Sequence, residues 1–169
     1  VEPGEEVITV SHSYIATANS IRYCGAEPVF VDVNRDTHNM DPAMIEAAIT
    51  SKTKAILLVH QMGMPADLSA IVSIGRKHGL KIIEDAACAI GSEYLWEGEW
   101  EKVGRCRGDA AVFSFHPRKV MSTGDGGMIT TPHADWNTKF KLLRQHGMSV
   151  PDTVRHGSNQ VIFESHPVL

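Results

Sequence analysis

Short apolar runs alternate with helical stretches of about ten residues through most of this sequence, and that alternation limits the fold more than any other feature. Glu6–Val10, Pro28–Val33, Ala55–Val59, Lys81–Glu84 and Ala110–Phe115 read as strands. Ala55–Val59 is apolar at every position, the pattern of a strand buried on both faces. Between these runs, Ala16–Cys24 reads as a helix stopped by Gly25. Asp41 followed by Pro42 starts another, with Ile45, Ala48 and Ile49 on its core face. Asp67 caps a third, whose Leu68, Ile71, Val72 and Gly75 fall at i, i+3, i+4 and i+7. Strand–helix alternation of this kind implies an α/β fold with a mostly parallel sheet and helices on both faces, three layers in all. Glu93–Arg107 breaks the pattern and reads as a hairpin or excursion. Ala134–His146 reads as a last helix, and periodicity is lost from Ser149, so residues 149–169 are expected to be loop or mobile tail.

In parallel sheets, ligands collect beyond the carboxyl ends of the strands. Tyr14, His60, Asp85, Ser114 and His116 all follow strands at that end. Lys119 stands five residues after Ser114, between Pro117 and the turn Gly124-Asp125-Gly126-Gly127, which leads into an antiparallel run from Met128 to Thr131. Each residue also has a plainer reading. Asp85 can cap the Ala86–Ile90 segment, Ser114 and His60 can be satisfied by backbone, Tyr14 can simply pack, and His116 can be a solvated loop residue. Their grouping at one sheet edge argues for a site.

Composition narrows the partners. A net charge of −4 provides no basic field for nucleic acid. No apolar run approaches the length of a membrane span. Three cysteines, Cys24, Cys88 and Cys106, without Cys-x-x-Cys spacing, indicate neither a disulfide framework nor a zinc knuckle. The nine histidines lack metal-ligand spacing, so no metal is expected. A reducing cytoplasm is the expected compartment.

Four motifs, in order, carry a resemblance over essentially the whole chain. They are Val10–Ser20 (VSHSYIATANS), His60–Asp67 (HQMGMPAD), Glu84–Ser92 (EDAACAIGS) and Phe113–Lys119 (FSFHPRK), the last followed by Thr123–Met128 (TGDGGM). Together they resemble the DegT/DnrJ/EryC1/StrS family of pyridoxal-phosphate (PLP) aminotransferases, which have fold type I and act on nucleotide-linked keto sugars. The resemblance implies that Lys119 captures the cofactor aldehyde and that Asp85 keeps the pyridine nitrogen protonated. It further implies that Ser114 donates to the phosphate and that Tyr14 stacks on the ring. Cys88 stands where the family has a glutamine or histidine that contacts the ring hydroxyl; a thiol is a weaker donor, and core packing is its other reading. His60 and His116 are candidates for the substrate mouth. Lys119 argues against the family branch that carries histidine there and performs dehydration. The family's upstream phosphate segment and its C-terminal small domain are not in this sequence. The expectation is therefore a single, partial PLP-binding large domain, an incomplete half-site that works as a homodimer or higher self-association. Its implied substrates are a nucleotide sugar and glutamate or glutamine as amino donor. The competing readings are a non-catalytic remnant kept for binding or assembly, and another fold type I enzyme such as a lyase.

Overall fold

The computed structural model describes residues 1–150 and 152–157. In chain order the elements are β1 (Glu6–Val10), α1 (Ile15–Tyr23), β2 (Glu27–Val31), α2 (Pro42–Ala48), β3 (Thr53–Val59), α3 (Leu68–His78) and β4 (Lys81–Asp85). They continue with β5 (Glu93–Trp96), β6 (Glu99–Lys102), β7 (Ala110–Ser114), β8 (Gly127–Thr130), α4 (Ala134–Leu143) and α5 (Asp152–His156). Six strands form one sheet in the order β2-β1-β3-β4-β7-β8. The first five run parallel, and β8 returns antiparallel beside β7.

Alternation along the strands divides the core in two. Ile8, Val10, Ile56 and Leu58 face α2 and α3, where Ile45, Leu68 and Ile71 meet them. Val7, Ala55 and Leu57 point to the opposite side, against Ile21 of α1. This is the three-layer arrangement that the sequence pattern implies. The caps form as their side chains dictate: Asp41 accepts from the Ala43 amide at 3.0 Å, and Asp67 from Ala70 at 3.1 Å. Gly79 closes α3 in the left-handed region at φ 67°.

The irregular Glu93–Arg107 stretch is an antiparallel hairpin, β5–β6. Tyr94, Trp96 and Val103 bury against the α2/α3 side of the core. Arg107 holds Glu101 through two hydrogen bonds, that from Nε being 2.7 Å long, and its guanidinium lies 5.1 Å from the Trp96 ring centre.

The chain divides into two compact units, Val1–Pro132 and His133–Leu169. In the second, His133 and Phe140 pack on Trp136, with ring centres 4.8 and 6.1 Å away. The helix there is shorter than the sequence pattern suggests: α4 ends at Leu143, and the Gly147 amide closes it by donating to Leu142 at 2.8 Å. Five residues of the expected tail, Asp152–His156, are helical. Ser149, Val150 and Gly157 are irregular as expected, and the rest of that expectation, at residues 151 and 158–169, lies outside the described residues.

Candidate active site

The site lies beyond the carboxyl ends of β1, β3, β4 and β7. Asp85 ends β4 and pairs in register with Val112 of β7, which places Ser114 just past it on the neighbouring strand. Asp85 is held at both oxygens. Oδ1 accepts from the Ala87 amide at 3.1 Å, and Oδ2 accepts from the Thr17 hydroxyl at 2.8 Å. Residues 86–90 form turns and no helix, so Asp85 caps no helix and instead closes a local turn. Thr17 is buried in the first turns of α1, and its oxygen also meets Ser13 Oγ at 2.6 Å. With its proton given to Asp85, Thr17 accepts from Ser13.

Beyond β7 the chain makes an excursion and returns. Phe115 closes its base, donating to the Gly126 carbonyl at 2.8 Å and accepting from the Thr123 amide at 3.1 Å. Within it, the Lys119 amide donates to the His116 carbonyl at 2.9 Å, closing a tight turn that contains Pro117. The half-buried Lys119 side chain reaches back to the sheet, and its Nζ lies 3.2 Å from Cys88 Sγ. Cys88 is thus a neighbour of the lysine. Ser114 Oγ accepts from the His116 amide at 3.4 Å, a long contact that uses the oxygen and not the proton. His116 is exposed, and its Nδ1 accepts from the Arg118 amide at 3.2 Å.

Tyr14 caps α1 with its side chain 79% exposed. It sits three residues before Thr17, so α1 begins with a solvent-facing ring and then turns a buried hydroxyl onto Asp85.

His60 corrects the sequence reading. As a candidate for the substrate mouth it should be accessible, yet it is 1% exposed. The Ala66 amide donates to its Nδ1 at 3.1 Å, so the ring proton sits on Nε2 and goes to Glu84 Oε2 at 3.0 Å. Backbone and a buried carboxylate use both nitrogens, leaving none for a substrate. Glu84 is 0% exposed and points to the opposite sheet face from Asp85. Burial, with the Glu84 charge close by, pushes the Tyr94 phenol up to about 12.

The loop after β3 also braces Cys88. Gly63 has φ 90°, and a Cβ there would stand 2.8 Å from the Cys88 carbonyl oxygen. Ser92 ties the same loop down by donating to the Gly63 carbonyl at 2.7 Å. Only glycine meets both demands.

Sequence reasoning missed Thr17 and Ser13. Their four-residue spacing at the start of a helix is visible in the sequence, but what Thr17 serves lies 68 residues away. Among the described residues no cluster of three or more His, Cys, Asp and Glu side chains could hold a metal, and no helix is long and apolar enough to cross a membrane.

The donor set is an amine on a turn, a fixed carboxylate on the adjacent strand, a hydroxyl with its proton to give and an exposed aromatic ring. It suits a phosphorylated pyridine aldehyde: the amine for the aldehyde, the carboxylate for the ring nitrogen, the hydroxyl for the phosphate. An open parallel sheet with such a set past its strand ends has the groups that a pyridoxal-phosphate site requires. The sequence profile of the DegT/DnrJ/EryC1/StrS aminotransferase family matches residues 1–164, and the chain belongs to that family. It is 49% identical over 148 residues to the GDP-perosamine synthase of Caulobacter vibrioides, covering 88% of this chain and 38% of that protein. It is 47% identical, also over 148 residues, to a UDP-N-acetyl-3-dehydro-alpha-D-glucosamine 3-aminotransferase of Acidithiobacillus ferrooxidans, covering 87% of this chain and 39% of that one. The crystal structure of NtdA from Bacillus subtilis, with bound cofactor PMP, superposes with a TM-score of 0.80 at 35% identity. That match covers 90% of this chain and 34% of NtdA. The chain thus spans about two fifths of the length of the curated relatives it matches.

Proposed function

We propose that this chain is the core of an aminotransferase that uses PLP to move an amino group from glutamate or glutamine to a nucleotide-linked keto sugar. The observation that carries the reading is the gathering of Lys119, Asp85 and Ser114, from two separate motifs, beyond the carboxyl ends of the neighbouring strands β4 and β7. The nucleotide-sugar names of two relatives and the PMP bound to a third support the substrate class and the cofactor.

When bound, the cofactor supplies an electron sink for the carbon that loses or gains a proton. Lys119 supplies the amine that holds it and carries that proton at Nζ, on a turn that keeps the side chain directed at the sheet. Asp85 keeps the ring nitrogen protonated, and Thr17 and the Ala87 amide fix its carboxylate so that no reorientation is needed. Ser114 donates to the phosphate, and the exposed Tyr14 ring offers a stacking face. His116, exposed three residues before Lys119, is the candidate for the substrate mouth. Three free cysteines agree with a reducing cytoplasm.

Borohydride reduction of the cofactor-loaded, full-length protein, followed by peptide mapping, tests the cofactor assignment. The label is expected on Lys119; a label on another lysine, with Lys119→Ala still binding PLP covalently, rejects it. Turnover with glutamate or glutamine and a panel of nucleotide keto sugars tests the substrate class. Activity on simple 2-oxo acids with none on any keto sugar rejects that class and leaves PLP binding standing.

A further inference from the structure

We propose that Cys88 and Lys119 form a peroxide-sensitive pair, in which oxidation of the thiol joins Sγ to Nζ by a covalent bond and withdraws the lysine amine. The two atoms are 3.2 Å apart, and both residues are half-buried, open enough for a small oxidant. Neither is free to wander. Cys88 sits in successive tight turns, with Ala89 donating to Ala86 at 2.9 Å and Ser92 to Ala89 at 3.1 Å. The Gly63 backbone packs directly on its carbonyl. Lys119 is fixed by its own turn to His116. Holding two reacting atoms at contact distance converts a bimolecular step into a far faster intramolecular one.

The chemistry balances with hydrogen peroxide as oxidant. Its O–O bond breaks; sulfur loses two electrons and becomes a sulfenic acid, and the other oxygen leaves as water. The Lys119 nitrogen lone pair then attacks sulfur, the S–O bond breaks, and a second water leaves with a proton from nitrogen. The protein ends with one S–N bond and two hydrogens fewer. A dithiol reverses this: its first thiol cleaves the S–N bond and returns the amine, and its second resolves the mixed disulfide.

The other two cysteines provide internal contrast. Cys24 is exposed. Cys106 meets the Thr130 hydroxyl at 2.9 Å, and burial pushes its thiol up, which lowers its reactivity. The regulatory consequence rests on the aminotransferase reading: with Nζ bonded to sulfur, Lys119 cannot take the cofactor, and a loaded cofactor shields the amine. The cross-link itself requires the two side chains alone.

Hydrogen peroxide treatment of the full-length protein, with and without added PLP, followed by digestion and mass mapping, tests the pair. The expected product is a Cys88–Lys119 cross-linked peptide lighter by two hydrogens, restored by dithiol. In Lys119→Ala, Cys88 should instead stop at the sulfenic acid and give at least roughly ten times more dimedone adduct. Circular dichroism of that variant checks its fold. The proposal is overturned if Cys88 is unmodified throughout, or passes to dimedone adduct or sulfinic acid equally in wild type and Lys119→Ala. A cross-link that forms as readily with PLP present supports the pair and counts against the cofactor reading.

Discussion

Thr17 shows how much a site depends on a residue that touches no substrate. Its hydroxyl proton goes to Asp85, and hydrogen bonds to a charged partner contribute about 1.5–3 kcal/mol. Thr17→Val is therefore expected to weaken PLP binding by roughly tenfold or more, with Thr17→Ser restoring most of it; titration of the cofactor absorbance measures both. His60 makes a different prediction. Removing one partner of a buried hydrogen-bonded pair leaves the other uncompensated, at a cost of about 3–5 kcal/mol. His60→Ala should lower the unfolding free energy, measured by urea denaturation, by about that amount without altering which lysine carries the cofactor. The spacing of Ser114 from Lys119, and of Cys88 from Asp85, was legible in the sequence because each pair is local. The fate of His60 was not. Which way a strand-end histidine turns depends on what the next strand places beside it, and here the register sets Leu58 against Glu84. Thr17 was hidden for the same reason, since its partner arrives from another strand.

At the level of elements, the strands and caps were readable because each rests on a local rule, apolar runs for β3 and aspartates for α2 and α3. The end of α4 was less so. Nothing in Arg144, Gln145 or His146 forbids a helix, and the choice to stop at Leu143 lies in the turn that Gly147 closes. The β5–β6 hairpin makes its own prediction. Hydrogen bonding to Arg107 holds the Glu101 carboxyl below the usual carboxylate range, and the charge of Arg105 adds to this. A lowered acid contributes stability that is present above the usual carboxylate range and lost as pH falls through the lowered value. Arg107→Gln should therefore destabilise the protein at neutral pH. The gap from wild type should narrow as the solution is acidified into and below the carboxylate range. Urea unfolding at several pH values measures it, and a gap independent of pH would remove the ion pair from the account.

At the scale of the whole molecule, the sheet has β2 and β8 as its outer strands. Phe30 on β2 is 53% exposed, and Met128 and Ile129 on β8 are exposed as well. Apolar side chains on an unpaired strand invite pairing with another chain. The isolated 169-residue chain is expected to self-associate in light scattering, and Phe30→Lys to reduce the associated fraction. A monodisperse monomer would refute this. The inner strands have the opposite character. The His60 amide donates to Asp85, and the Ala86 amide to Val112, at 3.0 and 2.9 Å, where the central strands β3 and β4 end. Hydrogen exchange at such amides requires the sheet itself to open, so their protection reports the stability of the entire first unit. The floor of the site and the fold thus share one cooperative transition. Cofactor should slow exchange chiefly in the 116–126 excursion, which carries Lys119, because the neighbouring strand ends are already hydrogen-bonded to one another.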